Sequence, residues 1–312
     1  MAKCLVLGAN GFIGSHLVDA LVARGHEVRA FDRFSSRTLY NDAKSVEQFS
    51  GDFLNKADLT ESLRGMEYVF HFISTTTPAT AENDPLIDVE TNIRMSIELF
   101  SACVETKVKR VLFASTGGAI YGGNGEQPHL ETDLPLPVSP YAIGKLTIEH
   151  YLRYFKVKHG LDSVTFRISN PYGERQPLHR KQGVIPIFLE NMLRNNPITI
   201  LGDGSMVRDY IYIKDVAAMI ATMFDKDVQE NVYNLGSGKG VTVQELAAAA
   251  EGATGMRAKV QYQPTPSTFV QRVILNTDRF ENEFGCKPET SLEEGLSATV
   301  AYIQHELAHE RE

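Results

Sequence analysis

Residues 3–14 read KCLVLGANGFIG, and the fold is decided there. Lys3 to Leu7 is a near-continuous apolar run, as a strand buried on both faces requires. Gly8, Gly11 and Gly14 follow, and Ile13, Leu17 and Leu21 then recur every four residues until Gly25 closes the helix. In a strand–turn–helix the three glycines serve different ends, namely a tight turn, backbone approach to a pyrophosphate, and close packing of helix on strand. The phosphates then lie on the helix N-terminus, whose unpaired N–H groups and positive dipole end attract anions. The next β-rich run, EVRAFD, ends in Asp32, where a carboxylate can accept the adenosine ribose hydroxyls of a dinucleotide. Asp32 would repel a 2′-phosphate, which favours NAD over NADP, while Arg33 and Arg37 keep NADP open.

Outward from this unit, YVFHFIS, RVLFAST and SVTFRIS repeat the buried-strand pattern, with amphipathic stretches between them. Alternation of this kind predicts an α/β fold, a Rossmann doubly wound parallel sheet, with a smaller mixed α/β C-terminal part. The expected division is 1–170 for the dinucleotide domain, with a return segment at about 208–236, and 171–207 plus 237–312 for a substrate domain. The returning piece is RDYIYIKDVAAMIATMF, read as one strand and one helix.

The 312 residues are 43% hydrophobic and 22% charged, with a net charge of −8. That acidic balance argues against nucleic acid, which needs a basic face. No apolar run is long enough to span a bilayer, and no segment reads as a secretory signal. Cys4, Cys103 and Cys286 are odd in number and far apart, which predicts reduced thiols in a cytoplasmic protein. Near the end, HELAH (His305 to His309) matches the two-histidine zinc-protease spacing. Only three residues follow it, and the surrounding charge reads as a solvated helix end, so no metal is expected.

The chemistry-bearing residues lie further along. ASTGGAIYG (Ala114 to Gly122) ends a buried strand in two hydroxyls and two glycines, with no carboxylate. In SPYAIGK, Tyr141 and Lys145 stand four apart, on one helix face. A phenol ionises near pH ~10 and is a poor base at neutrality. A neighbouring ammonium and a cationic nicotinamide ring are expected to lower that value, so that the phenol removes an alcohol proton as hydride leaves the carbon. Taken alone, the same spacing fits a packed tyrosine and a solvated lysine.

With GDF, FRISNPYGERQ and VRDYIYIKDVA added, these motifs resemble the extended short-chain dehydrogenase/reductase family. They are most similar to its UDP-glucose 4-epimerase group of NAD-dependent sugar-nucleotide epimerases, over about Lys3 to Leu296. The resemblance implies a catalytic triad of Thr116, Tyr141 and Lys145, with Ser115 a competitor for the hydroxyl. It implies NAD contacts from Asn10, Phe12 and Ile13 beside the three glycines, and from Asp32 and Arg33. Asp52 and Phe53 would lie at the adenine edge, and Phe72, Ile73, Ser74, Asn92 and Ser115 would complete the cofactor site with Tyr141 and Lys145. For a UDP-sugar it implies Asn170 on the diphosphate or sugar, Val184 and Ile200 near the uracil, and Arg208 on the diphosphate. Arg208 could instead form a surface pair with Asp209 or Asp215.

Arg272 would be a second phosphate clamp, although Thr268-Phe269 replaces the usual Gly-Asp before it. Val273 would stand at the gate beside the sugar C2 group, with room for an N-acetyl substituent. Dehydratases of the superfamily carry an Asp-Glu pair where this chain has Gly117, Gly118 and Ala119, so 4-epimerisation through a 4-keto sugar is the implied reaction. A sugar-nucleotide reductase, dehydrogenase or dehydratase, and a non-catalytic NAD sensor, are the alternatives. Two helices, around Asn92–Thr106 and Tyr141–His159, resemble those of the family's dimer interface, so a homodimer is expected.

Overall fold

The computed structural model describes residues 1–35, 37–123, 127–178, 183–224, 226–265 and 270–309. Thirteen strands lie among them. In chain order they are β1 (Lys3–Leu7), β2 (Glu27–Asp32), β3 (Val46–Ser50), β4 (Tyr68–His71), β5 (Arg110–Thr116), β6 (Asp162–Ile168) and β7 (Asn170–Tyr172). They continue with β8 (Ile198–Leu201), β9 (Val207–Tyr212), β10 (Val232–Leu235), β11 (Gly240–Thr242), β12 (Val260–Gln263) and β13 (Arg272–Val273). Seven form one parallel sheet in the order β10-β6-β5-β4-β1-β2-β3. Parallel neighbours need crossovers, and the helices that make them cover both faces.

β1 shows why the sheet is buried twice over. Cys4 and Val6 pack into a core that includes Leu17, Val18 and Leu21 of the helix Phe12–Ala23. Leu5 and Leu7 point the other way, among Leu59, Leu63, Leu99 and Phe100. All four strand residues are fully buried, so truncating Leu5 or Leu7 to Ala should cost about 2–5 kcal/mol. The fold is the doubly wound parallel sheet that the sequence predicts.

The expected return segment divides differently. β9 does not enter the large sheet but centres a small one, with β7, β11 and β13 beside it. The helix after it, Ile213–Ala221, packs on the helix Phe12–Ala23. The strand that joins the large sheet is β10, paired with β6. β10 is four residues long and reads VYNL, with a fully buried Asn234 that breaks its apolar run. That polar residue hides the strand in the sequence. The second part is completed by the β8–β12 pair and by the helices Val184–Leu193, Val243–Thr254 and Leu292–His309, which pack on one another.

The strand order reverses direction at β1, which has β2 on one side and β4 on the other. Ligands of such sheets bind beyond the carboxyl ends of the strands at that reversal. Gly8 follows β1, Phe72 follows β4, and Ser115 and Thr116 end β5, so the sequence-predicted residues gather at one rim.

Candidate active site

The glycine loop is fixed by its backbone. Gly8 has φ +82°, and its N–H donates to the Phe31 carbonyl at 3.0 Å. A Cβ on Gly14 would lie 2.0 Å from the Gly8 oxygen, so only glycine lets the helix approach the strand this closely. The helix Phe12–Ala23 begins at Gly11 with no side-chain cap, which leaves its first N–H groups for an anion. Asp32 accepts the Asn10 and Arg33 N–H groups at 3.0 and 2.8 Å, so its carboxylate stands at the mouth of this loop. Asn10 in turn bridges to the Arg37 carbonyl and the Leu39 N–H. Arg37 is paired with Glu306, which occupies a guanidinium that could otherwise have met a 2′-phosphate. Chain geometry and donor set therefore fit NAD.

The remaining cofactor candidates fall along the same rim with different roles. Ile73 lies directly against Gly8, and the Phe72 N–H bonds the Leu7 carbonyl. Ser74 Oγ donates to the Thr76 carbonyl. Phe12 and Ile13 pack partly buried against the core. Asp52 bonds the Leu54 N–H, and the Phe53 ring is buried 5.5 Å from the His71 ring, so Phe53 reaches outward only through its main chain. Asn92 is buried, taking the Thr75 N–H and donating to Thr76 and Asp88.

Tyr141 and Lys145 belong to the helix Pro140–His159, which Ser139 caps and Pro140 opens. Lys145 Nζ donates to the Ala114 carbonyl at 2.9 Å. It lies 4.8 Å from the Phe113 ring centre and 5.7 Å from that of Tyr141. The pair is thereby tied to the end of β5, two residues before Thr116. Ser115 and Thr116 project to opposite sides of that strand. Ser115 Oγ is committed to Glu149, which holds Arg167 at 2.8 Å, whereas Thr116 makes no capping bond to the turn after it.

From sequence, Lys145 and a cationic nicotinamide ring together are expected to pull the Tyr141 phenol down; among the protein groups alone, other influences act on it. Tyr141 is partly buried, and that burial together with the Asp88 charge pushes its phenol up to about 12. Burial pulls Lys145 down to about 8, against opposing pulls from Asp88 and Glu149.

The two glycines after Thr116 are there for room. A Cβ on Gly117 would meet Leu275 at 2.5 Å and the Arg167 oxygen at 2.7 Å, and one on Gly118 would press on Asn170. Asn170 Nδ2 donates to the Asp209 carbonyl. Arg208 is largely buried and donates to the Val207 and Val270 carbonyls. No carboxylate among the described residues pairs with it, and burial lowers its pKa. Asp209 is taken by Ser237, Gly238 and Leu275, and Asp215 by Thr290, so the alternative surface pair does not form.

Arg272 is exposed on β13, with its neighbour Val273 opposite Arg208. Val273 is buried against Ile120, Tyr121 and Leu275. Ile200 is buried in the main core, and Val184 opens its helix. Thr268 and Phe269 lie outside the described residues. His305 and His309 approach each other at 3.2 Å on the exposed last turns, and among the described residues no three potential ligands gather around a metal position.

Residues 4–236 match the model of the NAD dependent epimerase/dehydratase family. The chain belongs to that family. It is an enzyme of this NAD-dependent superfamily, and its cofactor is NAD. The UDP-glucose 4-epimerase of Mycolicibacterium smegmatis is 33% identical, covering 97% of this chain and 99% of the relative. The crystal structure of the Thermotoga maritima UDP-glucose 4-epimerase with UDP-glucose superimposes with a TM-score of 0.91 at 37% identity, covering 97% and 99% of the two chains. The Thermus thermophilus UDP-glucose 4-epimerase in complex with NAD does so at 0.89 and 36%, covering 96% and 98%. Reductases, decarboxylases and dehydratases also match, so the family leaves several reactions open. Among the described residues no helix is long and apolar enough to cross a membrane.

Missing from the sequence reading were Asp88, Gly144 and the buried Glu149–Arg167 pair. Asp88 and Asn92 are spaced i, i+4 in DVETN, the one signal that could have tied the acid to the site.

Proposed function

We propose that the protein interconverts the C4 epimers of a UDP-hexose, UDP-glucose and UDP-galactose or the corresponding N-acetylhexosamine pair. The observation that carries this reading is the Gly117–Gly118 turn: it carries no acid or base side chain, and at Gly117 even a Cβ would clash with Leu275 and the Arg167 oxygen, so the groups that elimination requires are missing from it. Bound NAD supplies a reversible hydride acceptor. Tyr141 takes the proton of the C4 hydroxyl and later returns one. Thr116 bonds and aligns the same oxygen, since Ser115 is committed to Glu149. The positive charge that draws the phenol down from about 12 comes from the oxidised nicotinamide as well as from Lys145.

Arg208, a partly buried cation with no carboxylate partner among the described residues, suits the diphosphate. Holding the diphosphate while the keto sugar turns exposes its other face to the returning hydride. Val273 does not line an opening but packs on Ile120, Tyr121 and Leu275, so the C2 substituent is decided by the assays below. A homodimer through the exposed Ile143, Tyr154 and Val157 face belongs to the same reading.

The test is turnover in deuterium oxide. Epimerisation returns the substrate's own hydrogen, so the product should carry no carbon-bound deuterium. Deuterium at C5 or C6 would establish elimination instead. Parallel assays of UDP-galactose and UDP-N-acetylgalactosamine decide the C2 question, and exclusive use of the former rejects the N-acetyl reading.

A further inference from the structure

Asp88 is a buried carboxylate, 4% exposed, in the chain segment ahead of the helix Arg94–Glu105. Its Oδ1 accepts the Thr76 hydroxyl at 2.6 Å and Asn92 Nδ2 at 2.8 Å. Its Oδ2 lies where a Cβ on Gly144 would stand, 1.9 Å from that position, so the missing side chain is what admits the carboxylate. Gly144 sits between Tyr141 and Lys145 on the same helix. No lysine, arginine or histidine among the described residues forms an ion pair with Asp88.

The groups facing Lys145 can be named from each element packed around it. From β4 comes His71, which burial pulls down to about 3 and keeps neutral. From β5 come the Phe113 ring and the Ala114 carbonyl. From its own helix come Tyr141 and Glu149, and Glu149 is already neutralised by Arg167. Among the described residues Asp88 is the other negative charge that acts on Lys145.

We propose that Asp88 is a positioning residue for the Tyr141–Lys145 pair, its carboxylate clamped by Thr76 and Asn92 against Gly144 to supply the counter-charge the Lys145 ammonium otherwise lacks. An isolated ammonium in a dry site tends to shed its proton. Asp88 opposes this, acting on Lys145 with the same sign as Glu149. The same charge raises the phenol, so the site gives up some phenolate for a protonated lysine. The inference rests on the proposed roles of Tyr141 and Lys145.

The test reads Lys145 directly, without substrate. In protein carrying 13C-lysine, the Lys145 Cε resonance is assigned by its absence from Lys145→Met and titrated in the parent and in Asp88→Asn. Asparagine keeps an oxygen for Thr76 and Asn92 and removes only the charge. The Lys145 midpoint should fall by about one pH unit, and the alkaline limb of turnover should fall with it. An unchanged or raised midpoint overturns the proposal, whatever happens to the rate. Asp88→Ser, which also keeps a hydroxyl at the clamp, gives the same reading if the asparagine variant does not fold. If the epimerase assignment is wrong, neither protein turns over UDP-sugars, yet the titration still reports on Asp88.

Discussion

The glycine loop and the Tyr141–Lys145 pair stand on the same rim but are built on different physics. Gly8 and Gly14 are determined by contacts of the main chain, with a positive φ at one and a 2.0 Å clash awaiting any Cβ at the other. No charge balance enters. Tyr141 and Lys145 make few directional contacts, and their protonation is set by burial and by carboxylates from elsewhere in the chain. A site made of backbone tolerates a change of pH and no change of residue. A site made of buried charge is sensitive to both.

The largest expected effect lies on the charged side. Tyr141→Phe should lower turnover by about 10³-fold or more while NAD titration shows unchanged affinity; ordinary turnover would remove Tyr141 from the chemistry. On the backbone side, Gly14→Ala should destabilise the protein by about 3 kcal/mol and weaken NAD binding, checked by denaturant melts and cofactor titration. If both are untouched, the loop is not the rigid cradle described.

Next comes the hydroxyl at the end of β5. Thr116→Ala should reduce kcat by roughly 10–100-fold. Ser115→Ala should lower stability by about 1 kcal/mol with a smaller loss of rate. The reverse ranking would exchange the two roles. The smallest effect is in the pH profile. Because burial holds Lys145 below its usual value, its cation is lost as pH rises through about 8, and turnover should decline there. Lys145→Arg, slower at its optimum, should lose that limb, since arginine stays charged. A limb that persists belongs to another group.

The same contrast decides what could be read from the sequence. β1, β2 and the glycines were legible because their requirements are local: an apolar run, a turn and a carboxylate at the next strand end. β10 was not, since Asn234 interrupts its pattern to bond Tyr121 and His129 across the fold. β9 looked like a strand of the large sheet because nothing in its own six residues says which sheet it joins. Tyr141 and Lys145 were found from their spacing. The charge that acts on both comes from Asp88, which lies fifty-three positions before Tyr141 in the chain and packs against Gly144, so their spacing alone does not show it. Ser115 and Thr116 could be separated only once Glu149 was seen to claim one of them.

The central claim is that the cofactor leaves each cycle as it entered. The direct measurement is to incubate the protein with UDP-sugars while proton NMR follows the C4 configuration and absorbance at the NADH band is read in the same sample. The 4-epimer should accumulate to equilibrium over many turnovers with no net NADH change. Product formed in step with consumed or accumulated NADH, or a sugar that has lost water, would contradict it.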